Sequence, residues 1–111
     1  MPNSSDLDVL FHALANPTRR AVFERLCQGP AATSDLAAPF DIALPSFMQH
    51  LGVLEQAGLV RSRKEGRVRT FEARKVPMLA MVAWLDEQRA VWERRLDQLD
   101  DYLMDTFGGN L

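Results

Sequence analysis

Seven basic side chains fall within fifteen residues of this chain: Arg61, Arg63, Lys64, Arg67, Arg69, Arg74 and Lys75. Only Glu65 and Glu72 oppose them, a local balance of +5, whereas the other 96 residues carry six bases and 13 acids, a balance of −7. The whole-chain net charge of −2, taken as an average, argues against a polyanionic partner. The segregation reverses that argument, because a phosphate backbone responds to a local basic patch. An isolated charge run is usually a solvated loop. This one is not isolated: it follows directly on PSFMQHLGVLEQAGLV, residues 45–60, which has helical periodicity and little charge.

Holding those side chains in place takes a helix, a tight turn and a two-stranded ribbon. The helix spans 44–57, with Phe47 or Met48, Leu51, Leu54 and in part Val53 facing inward. Gly58 ends it as a left-handed C-cap. Leu59-Val60 opens a hairpin over 59–73, with Glu65-Gly66 at its tip, where glycine supplies the positive φ of a tight turn. A helix that fits a major groove, followed at once by a basic hairpin, is the layout of a winged helix-turn-helix.

Upstream, Leu7, Leu10, Phe11 and Leu14 recur at i, i+3, i+4 and i+7, predicting an amphipathic helix over 7–15. Asn16 is placed to cap, and Pro17 to open, a second helix over 17–28, with Val22, Phe23 and Leu26 inward and Gly29-Pro30 as the stop. Thr33 or Ser34 would cap a short third helix over 33–40. The last helix, over 77–105, is long. Met78, Val82, Leu85, Arg89, Trp92, Leu96, Leu99 and Leu103 follow alternating steps of four and three, and all but Arg89 are apolar. That is a heptad seam, and only part of it can pack on its own domain; the remainder calls for a partner, most simply a second copy of the chain. The expected class is mainly α with one β-hairpin: a single winged-helix domain over 1–111, of five helices, the last a dimerisation helix.

Bulk properties narrow the alternatives. A chain of 111 residues is long enough to bury one modest core. No apolar run approaches the roughly 20 residues that span a bilayer, and MPNSSDLDVL lacks the basic segment and apolar core of a secretory leader. One cysteine, Cys27, excludes an intramolecular disulfide framework. Together these features point to the cytoplasm and to no membrane partner. Catalysis finds no support: there is no Gly-rich phosphate loop, no nucleophile elbow and no Cys/His cluster. A protein-interaction module is the remaining competitor, but it would have no use for so many arginines on the hairpin.

Three segments resemble the ArsR/SmtB transcriptional repressors of prokaryotes: LFHALANPTRRAVFERL at 10–26, PSFMQHLGVLEQAGLVRSRKEGRVRTFE at 45–72, and WLDEQRAVWERRLDQLDDYL at 84–103. The run HLGVLEQAGLV followed by RxRKEGRxRxF is the most specific of the matches. The resemblance implies a homodimer joined through the first and last helices and bound to an imperfect inverted repeat in double-stranded DNA. It puts Leu7, Leu10, Phe11, Leu14, Leu85, Trp92, Leu96, Leu99 and Leu103 in the dimer interface. One departure is Ala43, where relatives often carry a capping serine or threonine; the cap here would come from Asp41 or be absent.

In a recognition helix the N-terminal residues reach base edges while backbone contacts fix register. Here those positions are Leu44, Ser46, Phe47, Gln49 and His50. Gln49 is suited to adenine N6 and N7, Ser46 to a base or a phosphate, and His50 to either as a donor. Phe47 has two readings, contact with a thymine methyl or a place in the core. Arg61, Arg63, Lys64, Arg67 and Arg69 on the wing are suited to phosphate.

Metal sensing, common among such repressors, is not expected. The helix before the recognition helix has no Cys-x-Cys, and the last helix offers only carboxylates, which suit transition metals poorly. No cofactor is expected either. Cys27 reads as a small core residue in preference to a redox sensor. Trp84, Trp92 and Tyr102 read as interface in preference to a small-molecule pocket.

Overall fold

The computed structural model describes residues 4–108. Eight elements follow along the chain: α1 (Ser4–Ala13), α2 (Pro17–Leu26), β1 (Ala31–Ala32), α3 (Thr33–Ala37), α4 (Leu44–Gln56), β2 (Val60–Glu65), β3 (Val68–Ala73) and α5 (Met78–Phe107). Contacts divide them into two compact units, one reaching to Met81 and the other beginning at Val82.

The first unit holds the core. Leu10 and Ala13 of α1, Val22, Phe23 and Leu26 of α2, Leu36 of α3, and Phe47, Leu51 and Leu54 of α4 are buried together with Leu59, Val60 and Phe71 of the wing and Met81. The start of α2 follows from its capping chemistry. The Asn16 side-chain oxygen accepts from the backbone N–H of Thr18 (2.9 Å) and Arg19 (3.2 Å), and Pro17 occupies the first turn, where a missing N–H leaves nothing unsatisfied.

At the end of α4, the second helix of the helix-turn-helix that α3 begins, Gly58 takes φ +79°. It lets the chain reverse so that the Leu59 N–H reaches the Leu54 carbonyl (3.1 Å) and the wing begins. β2 and β3 pair antiparallel in register Val60↔Ala73 through Glu65↔Val68. The two-residue tip is therefore Gly66-Arg67, one residue later than the sequence indicates. Gly66 has φ +63° and Arg67 a negative φ, the sign pattern of a type II′ turn.

Three more expectations are corrected. The sheet has three strands, in the order β1-β3-β2, because Ala31 and Ala32 pair with Phe71 and Thr70. Two alanines carry no strand pattern of their own and are held by a partner strand far along the chain. α3 is shorter than 33–40, and neither Thr33 nor Ser34 caps it: Ala32 is the N-cap with no side-chain bond, and the Thr33 hydroxyl donates instead to the Arg69 carbonyl (3.3 Å). Leu10, read as an interface residue, lies in the core at 5% exposure. It faces α1's own neighbours, as a helix of an amphipathic stripe must. Leu7 and Leu14 pack partly against the same core, and Phe11 is the member of the stripe that remains exposed.

The second unit is the body of α5, and its long apolar side chains stay in water. Leu85, Trp92, Leu96, Leu99 and Leu103 are each 41–60% exposed. A row of large apolar groups this long is uncommon on a protein that works alone. No described helix is long and apolar enough to cross a membrane.

Candidate nucleic-acid interface

Helical phase divides α4 cleanly. Phe47, Leu51 and Leu54, at i, i+4 and i+7, take the inner face. The opposite side carries Pro45, Gln49, Gly52 and Gln56, with Ser46 and Met48 on its flanks and Leu44, 57% exposed, at its start. Phe47 is fully buried, its ring 5.6 Å from that of Phe40. Its reading as a DNA-touching residue is therefore withdrawn: the side chain belongs to the core and no part of it reaches the surface. Gly52 is a helix-interior glycine without an internal cause, since a Cβ built there meets nothing within 4 Å. Ala43 occupies the N-cap with no side-chain bond, so the cap is absent and is not supplied by Asp41. Pro45 lies within the first two positions and removes one of the N–H groups a cap would have served.

His50 is half-buried on the edge of α4 nearest α2. Its Nδ1 stands 3.1 Å from Nη1 of Arg19, a buried residue of α2. The same guanidinium donates from Nε to the Ala13 carbonyl (2.7 Å) and from Nη2 to the His12 carbonyl (3.0 Å). These two carbonyls end α1, where the helix dipole is negative and favours a cation. Among the described residues Arg19 forms no ion pair, so these acceptors carry its compensation. Sequence reasoning missed Arg19, because one arginine of an Arg-Arg pair on an amphipathic helix reads as surface.

On the wing, most of the basic groups already have partners. Arg61 pairs with Glu72 across the strands, and Arg63 lies 3.3 Å from Glu65. Arg69 donates to the Ser62 hydroxyl (2.8 Å), which donates to Glu55 of α4 (2.7 Å). That chain ties the end of α4 to the ribbon, and Glu55 is a second residue the sequence did not single out. The side chains of Lys64 and Arg67 make no hydrogen bond or ion pair among the described residues. Arg67 stands at the tip, and Lys64 sits directly opposite Arg69 in the register. Like charges placed opposite each other destabilise a hairpin unless an anion lies nearby. A cleft of about 300 Å³ opens between the wing and the helix-turn-helix, bordered by Thr33, Ser34, Leu44, Arg67 and Arg69.

A helix with a bare polar face, followed by a basic hairpin whose tip cation is unpaired, defines a winged helix-turn-helix regulator of transcription. Comparison with known proteins agrees. Residues 14–63 match a helix-turn-helix domain family. The HTH-type transcriptional regulator Rv2034 of Mycobacterium tuberculosis is 38% identical over 89 residues, 80% of each chain. The transcriptional repressor SdpR of Bacillus subtilis is 28% identical over 76 residues, 68% of this chain and 84% of that one. A crystal structure of an ArsR family transcriptional regulator superposes with a TM-score of 0.80 at 53% identity, covering 83% of this chain and 95% of the other. The chain belongs to the ArsR family of transcriptional regulators.

Proposed function

We propose that this regulator is a homodimeric repressor that binds an inverted-repeat operator, with α4 in successive major grooves and the wings on the flanking backbone, and that it does so without a metal-sensing site. The observation that carries the reading is the pairing of an outward Ser46 and Gln49 on α4 with unpartnered Lys64 and Arg67 on the adjoining wing. Ser46, Gln49, His50 and Leu44 read the groove. Arg67 and Lys64 meet phosphate first, and Arg61, Arg63 and Arg69 contribute after exchanging or sharing their present partners. Leu85, Trp92, Leu96, Leu99 and Leu103 of α5, with Phe11, Leu7 and Leu14, supply the twofold contact. The test is selection of bound DNA from a random library with the purified full chain. We expect an enriched palindrome with half-sites about 10 base pairs apart, the spacing that sets two helices in successive major grooves. Recovery of no common sequence overturns the proposal.

A division of labour follows, and two variants separate its parts. Arg67→Ala is expected to weaken selected and scrambled DNA by a similar factor and to reduce the log–log salt slope by about one unit for each phosphate no longer neutralised. Gln49→Ala is expected to erode discrimination at one symmetric pair of operator positions, where a base-reading side chain is worth about 1–3 kcal/mol. Titrations of both variants on both DNAs across a salt series check this. The opposite pattern, with Arg67→Ala relaxing base preference and Gln49→Ala acting uniformly, would mean that the wing reads sequence through groove shape.

A further inference from the structure

The bond between Arg19 and His50 constrains more than packing. A guanidinium has five N–H donors and no acceptor. Its approach to His50 Nδ1 at 3.1 Å is therefore a hydrogen bond only if Nδ1 is the acceptor, which puts the ring proton on Nε2. Nε2 makes no hydrogen bond among the described residues. No buried side-chain nitrogen or oxygen among the described residues lacks a partner, so Nε2, which has none, is not sealed inside the core. Arg19 cannot easily turn away, because its Nε and Nη2 are held by the Ala13 and His12 carbonyls.

We propose that Arg19 is a positioning residue for recognition: its buried guanidinium fixes His50 as the Nε2–H tautomer, so that α4 presents DNA with an N–H donor at this position and never with an acceptor. The inference rests on α4 being the DNA-reading helix. A neutral histidine ordinarily has two tautomers and can offer either a donor or a lone pair at its outer nitrogen. Here the choice is made inside the protein before DNA arrives. The cationic partner on Nδ1 also draws electron density from the ring and strengthens the outer N–H as a donor, as linked hydrogen bonds polarise one another. The matching group on DNA is an acceptor, either a phosphate oxygen or a base-edge atom such as guanine N7 or O6 or thymine O4. The amino groups of adenine and cytosine are refused.

Two measurements on the full chain test this. The first is a two-bond proton–nitrogen correlation spectrum of the imidazoles at pH 8, with His50 assigned by its loss in His50→Gln. We expect the Nε2–H pattern in the free protein; a proton on Nδ1 overturns the inference. The second is affinity for the selected operator. His50→Ala is expected to weaken binding by about ten- to hundredfold, the loss of one hydrogen bond in each half-site. His50→Gln, which brings an amide N–H to the region of Nε2, is expected to stay within about threefold of the wild type. Equal binding by His50→Ala and wild type overturns the inference.

Arg19→Met, where folded by circular dichroism, should lose affinity as His50→Ala does and lose nothing further in the His50→Ala background. If Arg19→Met does not fold, the tautomer and the His50 variants decide the matter alone. A uniform loss across operator variants assigns the acceptor to phosphate, with the salt slope unchanged because a neutral ring releases no counterion; a loss confined to one symmetric base pair assigns it to a base. Wild type and Gln49→Ala are the controls. A wild type that selects no DNA removes the reading of α4 itself. A wild type that binds, a Gln49→Ala that loses discrimination and a His50→Ala that loses nothing remove only the present inference.

Discussion

The double substitution Leu96→Asp/Leu99→Asp is expected to leave a 12.5 kDa monomer where the wild type sediments at about 25 kDa at micromolar concentration. Both leucines lie on the exposed apolar row of α5, about half of each side chain in water, and neither belongs to the core of the first unit. Charge there leaves that core intact and places four carboxylates across a twofold axis. The effect on DNA should be large. A dimer holds its second half-site as an intramolecular event, and linked sites gain about 10²–10⁴ in affinity over one site alone. Operator binding should fall by that order, while non-specific binding falls much less. Sedimentation equilibrium and operator titration on one preparation check both halves. A wild-type chain that stays monomeric at that concentration refutes the dimer.

Phe47→Ala is expected to be the most destabilising single change on α4. The side chain is fully buried beside Phe40, in the layer that also holds Leu51 and Leu54. Truncating a buried phenylalanine costs about 3–5 kcal/mol, from lost transfer energy and the cavity left behind. A domain of this size has only about 5–15 kcal/mol in total. Chemical denaturation at fixed protein concentration should show that drop or no cooperative transition at all. Phe47→Leu fills most of the space, so it should fold and bind the operator close to wild-type strength. If Phe47→Leu is as stable as the wild type yet loses operator affinity, the residue touches DNA after all, and its placement in the core is wrong.

The order of elements was legible because local signals set it. Asn16-Pro17 opens α2, Gly58 closes α4, Gly66 turns the hairpin, and a four-three repeat runs along α5; each feature acts within a few residues of itself. What stayed hidden depends on partners far along the chain. Arg19 meets a histidine 31 residues on, and Ala31 becomes a strand only because Phe71 lies beside it. Glu55 and Arg69 are joined through Ser62 across the turn that separates helix from ribbon. Phe47 shows the limit within one helix. The periodicity offered Phe47 or Met48 as inward, and only the packing of α4 against its neighbours decided for Phe47. The wing arginines were legible as a patch, but the sequence could not show which of them pair with Glu72 and Glu65 and which stand free.

With α4 reading DNA as proposed, Gly52 gives that helix room to evolve. Most positions on a working surface that can be changed to alter specificity also carry part of the fold, so a new preference comes with a loss of stability. At Gly52 the relation is inverted. The Cβ of a replacement enters open space, and exchanging glycine for alanine in a helix interior relieves a penalty of about 0.5–1 kcal/mol. A residue acquired there starts with a surplus of stability that can absorb a second, less favourable change at Gln49 or Ser46. On the proposed reading of α4, divergence toward new operators is expected to have an easy first step at that glycine, through an intermediate more robust than its ancestor.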